Sequence, residues 1–426
     1  GPTKLVDQGQ TVRDIVDILA RNSRLPGSLV GDMNAQIAAC RMGERRYLEI
    51  VDKFGLDTVR QGMESIFVTS ATLERAAIAA IPDGVYGAQG YQDNDYQTDE
   101  PFLIKVTVTV DGERMIIDTT GSSAQRAGNT NCGRVQALSA ARLAYKFLVC
   151  PEAGVTGGSF STLDVIVESG SIFSAQEPAA CLQYGTHGML LADLIIKALA
   201  PAIPDDVAAG LPGDAWNVVM VGPDPRRPGI FVSAESIAGG WGANARWDGD
   251  SALIHFAAGD FKNLPVETME NKYPVIVRKY GLGVDSAGAG RHRGGLNIIK
   301  DYEITGPGVH LSLWFERTLT PQWGLFGGHD GAVPGVLLEP GTEQEQEILK
   351  SNMLPVPKGT HFRTSTGGGG GYGPPVERDP QEVRQDIIDG YESRQRAAEV
   401  YKVVFRGGST EIDEKRTAAA RSAAQT

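Results

Sequence analysis

The amino-acid sequence predicts an α+β fold with an N-terminal helical arm, a mixed α/β middle, a mostly antiparallel β C-terminal part and a final amphipathic helix. Three observations carry this expectation. Apolar residues recur at helical spacing up to about Ala80, the period changes to two around Ile104, and strand patterns predominate beyond Val218. This order differs from the regular strand–helix alternation of a doubly wound sheet. At 426 residues the chain exceeds what one core usually holds, and it is expected to divide into 1–80, 81–215, 216–378 and 379–426.

The arm is expected to open at Thr11, capping a helix whose apolar face is Val12, Ile15, Val16 and Leu19, with Asp14 as the carboxylate of a capping box. Leu25-Pro26-Gly27 ends it. A longer helix with Asp32 near its start runs to Gly55, and Asp57 caps a third bearing Val59, Met63, Ile66 and Leu73. Pro82-Asp83-Gly84 breaks the helical period. Ile104, Val106, Val108 and Val110 then alternate with polar residues, Asp111-Gly112 reads as a two-residue turn, and a strand returns to Thr119. Helices over 134–148 and 187–199 bracket a strand at 163–167, and further strands are expected at 218–221, 231–237, 252–256 and 309–314.

Residues 273–304 read as two strands, marked by Val275, Val277, Leu296 and Ile298, around a loop that carries six glycines. Asp285, Arg291 and Arg293 in that loop are expected to lock it against neighbouring segments or subunits. The run TGGGGGYGPP at 366–375 holds no regular element by itself. Its place between a strand at 358–363 and a helix from Asp379-Pro380 to about Val400 favours an ordered role, whereas the alanine-rich tail from Thr410 is expected to fray.

A net charge of −12 argues against a nucleic-acid surface, and no apolar run reaches the length of a bilayer span. Four widely spaced cysteines without a CxxC pair fit a reducing cytoplasm. No two of the six histidines stand three or four residues apart, and HExxH, GxSxG and GxxxxGK[ST] are all missing, as is a strand–GxGxxG–helix unit. An enzymatic role therefore requires groups from outside the recognisable motifs. Asp248 follows the glycine-flexed Trp241 loop, which also reads as a packed tryptophan and a turn. Asn263 and Glu267 stand in a compact Asn-x-Pro-x-Glu, equally a surface turn, and Arg317 offers either a fork for an anion or an ion pair holding its loop. Cys132 has no base beside it in the sequence.

Several segments in order resemble the hydantoinase B/oxoprolinase family. They are residues 31–59, IPDGVY at 81–86, 117–131, 237–251, 263–296, ERTLTPQWGLFGG at 316–328 and TSTGGGGGYGPPVERD at 364–379. The resemblance implies a B-type subunit of an ATP-dependent hydantoinase or oxoprolinase, or of a related acetone or acetophenone carboxylase. A hydantoinase A-type partner subunit would bind ATP and Mg2+ and phosphorylate the amide or carbonyl oxygen of a cyclic amide or ketone. Family members begin upstream of Gly1, so a divalent metal, Zn or Mn, is expected in that upstream segment, supplied by an N-terminal companion fragment, and no metal ligand is carried onto this chain. The opening Gly1-Pro2 without an initiator methionine reads as the middle of a longer polypeptide. Many relatives have a Thr-Asn-Thr-like run where this chain has Ala258-Gly259-Asp260-Phe261, which would bear on substrate identity.

Overall fold

Where the sequence alternates with a period of two, the computed structural model pairs strands, and where apolar residues recur at helical spacing it forms helices. It describes residues 3–226, 228–259 and 262–424, so Asp260 and Phe261 of the divergent run lie outside the described residues. Two compact units result, Gly1–Thr72 with Thr156–Ser159, and Leu73–Val155 with Phe160–Thr426.

In the first unit a short ladder of β1 (Val6–Asp7) and β2 (Gln10–Thr11) precedes α1 (Arg13–Arg21), α2 (Pro26–Phe54) and α3 (Leu56–Ile78), which continues into the second unit. Thr11 pairs with Val6 in the ladder, so Val12 takes the N-cap position of α1 without a side-chain bond, and the expected threonine cap does not form. Pro26 starts α2, because the first helical position needs no N–H, and Gly55 ends it at φ +80°. Asp57 stands in the first turn of α3, where its charge complements the helix dipole.

In the second unit β3 (Gly84–Gln92), β4 (Phe102–Asp111), β5 (Arg114–Asp118) and β6 (Leu163–Ile166) lie in that order in one sheet, antiparallel except for β5 with β6. Asp111 pairs with Arg114, so the turn is Gly112-Glu113, one residue beyond the expected pair, with Gly112 at φ +56°. α4 (Arg134–Leu148) packs on α5 (Tyr184–Leu199), and α5 packs on β3 and β4. Ile104, Val106, Val108, Leu190 and Leu194 are fully buried in this core.

The next strands are β7 (Asn217–Pro223) and β8 (Ile230–Ser236), followed by α6 (Val266–Lys272), β9 (Val275–Leu282), β10 (Ile298–Ile304) and β11 (Val309–Trp314). β12 (Gly335–Leu338), β13 (Gln346–Glu347), β14 (Lys350–Val356) and β15 (His361–Ser365) complete two antiparallel sheets, β14-β11-β7-β8 and β13-β12-β15-β10-β9. They share one core, to which Val218 and Leu311 come from the first sheet and Tyr302 and Phe362 from the second. The strand expected over 252–256 is not formed. Leu253 makes a single bridge to Gly239, and His255 caps a 3-10 turn, Phe256–Ala258, by accepting the Ala257 N–H.

The single helix expected over 379–400 is two, α7 (Pro380–Ile388) and α8 (Arg394–Glu399), separated where Gly390 adopts φ +75°. The tail forms α9 (Glu414–Ala424), contrary to the expected fraying. Thr417 bridges both backbone groups of Val404, and Arg421 donates to the carbonyls of Tyr401 and Arg378.

The glycine run is ordered and buried, and its hydrogen bonds are not those of a sheet. The Gly368 N–H donates to Ala332 O, Gly369 to Gly295 O, Gly370 to Gly210 O and Gly371 to His329 O, at 2.9–3.1 Å. The first and fourth thus reach the same segment, a three-residue repeat like that of the polyproline II screw. Neighbouring glycine segments pack backbone against backbone: a Cβ on Gly369 would lie 1.8 Å from Trp241 O, one on Gly240 1.9 Å from Gly295 O, and one on Gly331 1.9 Å from Gly368 O. Gly281, in β9, has open space instead. Gly369→Ala is therefore expected to destabilise the protein by at least about 3 kcal/mol in chemical denaturation, and Gly281→Ala to stay within about 0.5 kcal/mol of the parent.

Candidate functional site

β3 runs out into Gln92-Asp93-Asn94-Asp95 and β11 into Phe315-Glu316-Arg317, and these two ends meet. Glu316 is fully buried. Its N–H donates to Asp214 Oδ2 at 2.8 Å, its Oε2 accepts the Asp93 N–H at 2.8 Å, and its Oε1 pairs with Lys350 Nζ. Lys350 also donates to Asn94 O at 2.7 Å and lies over the Trp314 ring. The Asp93 carboxylate in turn accepts the N–H groups of Thr318 and Leu319. Burial pushes the Glu316 carboxyl up to about 8, against the pull of Lys350, and pushes Asp214 up to about 6. Buried carboxyls displaced this far beside a cation are a mark of functional sites as well as of structural ion pairs.

Beside this charged centre opens a cleft of about 450 Å³, whose wall includes Asp95, Asn129, Gln183, Asn217 and Trp314. The Asp95 carboxylate is consumed locally. Burial works against its charged form, yet hydrogen bonds from Thr98, Gln97 and Gly128 hold it below the usual carboxylate range. The cleft thus presents neutral hydrogen-bonding groups, with its ionic support behind the wall. Gln92, fully buried in the same strand end, has neither carboxamide atom hydrogen-bonded, and the Trp314 indole N–H is also buried without an acceptor.

The residues singled out from the sequence are distributed elsewhere. Arg317 is fully buried with φ +85°, donating to Asp193 Oδ2 at 2.9 Å and to Thr320 O at 2.6 Å, while His255 Nε2 holds Asp193 Oδ1 at 2.9 Å. These contacts make a buried ion pair and tie Arg317 to its own loop. Asp248 receives both terminal nitrogens of Arg378 at 2.7 Å, and Arg378 reaches Asp386, which also accepts Arg293 Nε at 2.9 Å. Asn263 and Glu267 are exposed, Glu267 in the first turn of α6. Among the described residues no hydrogen bond or ion pair joins any two of these four.

The glycine loop is locked as its arginines suggested, against the C-terminal helices. Arg293 is buried on Asp386, Arg291 lies 3.7 Å from Glu377, and Asp285, at φ +61°, accepts the Ser393 N–H at 2.7 Å. Cys132 is fully buried, with its thiol pushed up to about 12 by that burial. Lys350, Asp93 and Gln92 were not legible as site residues, and Glu316 was visible only as the neighbour of Arg317. The Asp93–Glu316 bond closes a separation of 223 residues, for which no local spacing gives a signal.

Among the described residues no group of three His, Cys, Asp or Glu side chains could hold a metal ion, and no helix is long and apolar enough to cross a membrane. The profile of the hydantoinase B/oxoprolinase family matches residues 1–375, and the chain belongs to that family. Within it, the chain is 32% identical to a protein assigned as the B-type component of a D-/L-hydantoinase from Pseudomonas sp. (strain NS671), over 97% of this chain and 71% of that one. Its structure matches that of an ATP-dependent caprolactamase from Pseudomonas jessenii with a TM-score of 0.88 and 28% identity, over 99% of this chain and 74% of the other. An acetone carboxylase matches with a TM-score of 0.85 over 99% of this chain and 63% of the other; at 19% identity that likeness shows the fold alone.

Two outcomes follow from the geometry. Arg317→Ala leaves Asp193 buried without its cation and is expected to cost about 3 kcal/mol or more in denaturant unfolding, whereas Glu267→Ala, on an exposed helix turn, is expected to change stability by less than about 0.5 kcal/mol. Burial pushes the Glu392 carboxyl up to about 7, with Arg396 and the Tyr401 hydroxyl opposing the shift. An acid raised in the folded state makes the fold bind the extra proton, so its contribution to stability falls as pH rises from the ordinary carboxylate range to about 7. Melting of Glu392→Gln across that window is expected to show a shallower decline than the parent.

Proposed function

We propose that this chain is the B-type subunit of an ATP-dependent cyclic-amide hydrolase, acting in the cytoplasm with a hydantoinase A-type subunit that binds ATP and Mg2+. The observation that carries this reading is the likeness to an ATP-dependent caprolactamase over 99% of the chain at 28% identity, set against 19% for the acetone carboxylase. The neutral, carboxamide-lined cleft agrees with an uncharged substrate. An unstrained amide is a poor electrophile. Transfer of the γ-phosphoryl group of ATP to the amide oxygen activates the carbon; attack by water and cleavage of the C–N bond then release the amine and leave an acyl phosphate, which a second water hydrolyses to the carboxylate and phosphate. On this reading the Glu316–Lys350–Asp93 centre positions the cleft wall, and Asp248, with Arg293 and Arg378, fixes the glycine loop. Asp248, Asn263, Glu267 and Arg317 remain the four substitutions to test for effects on turnover.

The test is to purify the chain with every polypeptide that accompanies it and to assay ATP hydrolysis against hydantoin, 5-oxoproline, caprolactam and simple ketones with bicarbonate. Ring opening coupled to ATP hydrolysis is expected. Turnover that instead requires a ketone and bicarbonate would overturn the hydrolase reading in favour of a carboxylase, and no ATP turnover with any of them would leave a scaffold subunit.

A further inference from the structure

The cleft beside Glu316 is built in two parts. Val219 and Trp314 give it apolar surface from the β7–β11 ladder, and carboxamides surround that surface. Among the described residues, Asn129, Gln183 and Asn352 find no side-chain hydrogen-bond partner. Asn217 accepts the Ser236 hydroxyl on Oδ1 at 2.8 Å, which leaves its amide nitrogen available as a donor. Ser351 is spent on Leu311 O, Ser312 on the Met353 N–H, and Asp95 on its own turn. Among the described residues no uncommitted charge lines the cleft, and the buried indole N–H of Trp314 in its wall has no acceptor.

A carboxamide offers a donor and an acceptor side by side on one planar edge. The secondary amide of a small ring is held cis, with C=O and N–H on the same edge, so the two can pair through two parallel hydrogen bonds. A ketone offers an acceptor alone. A volume of about 450 Å³ is within the range of roughly 300–1,000 Å³ that small-molecule pockets occupy.

We infer that this cleft binds a neutral cyclic secondary amide, its ring on Val219 and Trp314 and its amide edge on the free carboxamides of Asn129 and Asn352. The inference rests on the cyclic-amide reading above and assigns it a place and a recognition chemistry. The ligand is selected by its N–H as much as by its carbonyl, because a ring that lacks the N–H makes one hydrogen bond fewer to the carboxamides.

Saturation-transfer NMR on the purified full chain tests this with 2-piperidone, N-methyl-2-piperidone and cyclohexanone. The lactam is expected to bind about fivefold or more tightly than either analogue, the effect of one or two neutral hydrogen bonds. Asn129→Ala and Asn352→Ala, checked by melting against the parent, are each expected to weaken the lactam about threefold or more and to leave cyclohexanone unchanged. Equal binding of the three compounds, no transfer to any of them at tens of millimolar, or lactam binding unchanged in both correctly folded variants would overturn the inference. Ring-opening turnover in the complex with a KM unaffected by both variants would sink the cleft and leave the hydrolase reading standing. Selective lactam binding without ATP-coupled ring opening would do the reverse.

Discussion

The fold of the second unit depends on a place where no side chain fits. Segments around Gly240, Gly295, Gly331 and Gly369 approach so closely that a single added carbon would fall within about 2 Å of a carbonyl oxygen. The amides of Gly368 to Gly371 are satisfied by carbonyls of three other segments in turn, which meets the requirement that buried backbone groups be paired without recourse to a sheet. What the layer lacks in apolar side chains the flanking parts must supply. The shared core of the two antiparallel sheets does so from one direction, and the paired charges of Asp248, Arg378, Asp386 and Arg293 do so from another.

The same arrangement explains why so many charged residues are internal. Arg317 with Asp193, Lys350 with Glu316, and Lys300 with Glu235 are buried pairs, and each joins elements distant in sequence. A buried pair is weak as a source of net stability and strong as a constraint on geometry, because either partner alone is costly. Here the Arg317 and Glu316 pairs fix the chain where it leaves β11, and the Lys300 pair ties β10 to β8. Glu316 illustrates the cost: its carboxyl is held in a site that favours the protonated form, and the cleft wall formed by Asp95 and Trp314 stands on it.

The sequence was most legible where one period ran long enough to be unmistakable. β4 and its return strand, α4 and α5, and the β9–β10 pair with its locked loop were all readable from alternation or helical spacing. β3 escaped because glycines at 84, 87 and 90 interrupt the alternation, and its place is set by a nine-residue register with β4. The segment around His255 looked like a strand because Ala252, Leu253, Ile254 and Phe256 make a short apolar run, but the histidine ring captures the Ala257 amide and turns the chain. The site residues were the least legible. Arg317 and Asp248 stood out by composition and proved to be bound within networks, whereas Asp93, Glu316 and Lys350 come together only through strand ends more than thirty residues apart in sequence.

The glycine layer also constrains how the chain can reach this fold. Glycine segments are the most mobile parts of an unfolded chain and lose the most conformational entropy on ordering. They have no side chains with which to nucleate collapse. The segments that meet here come from residues near 210, 240, 290, 330 and 370, so none of their contacts is local. Such contacts form late and slowly, because the entropy of closing long loops has to be met before the bonds that reward it exist. The layer is therefore assembled by the elements around it, and until the sheets and C-terminal helices are in place its segments remain open to the solvent.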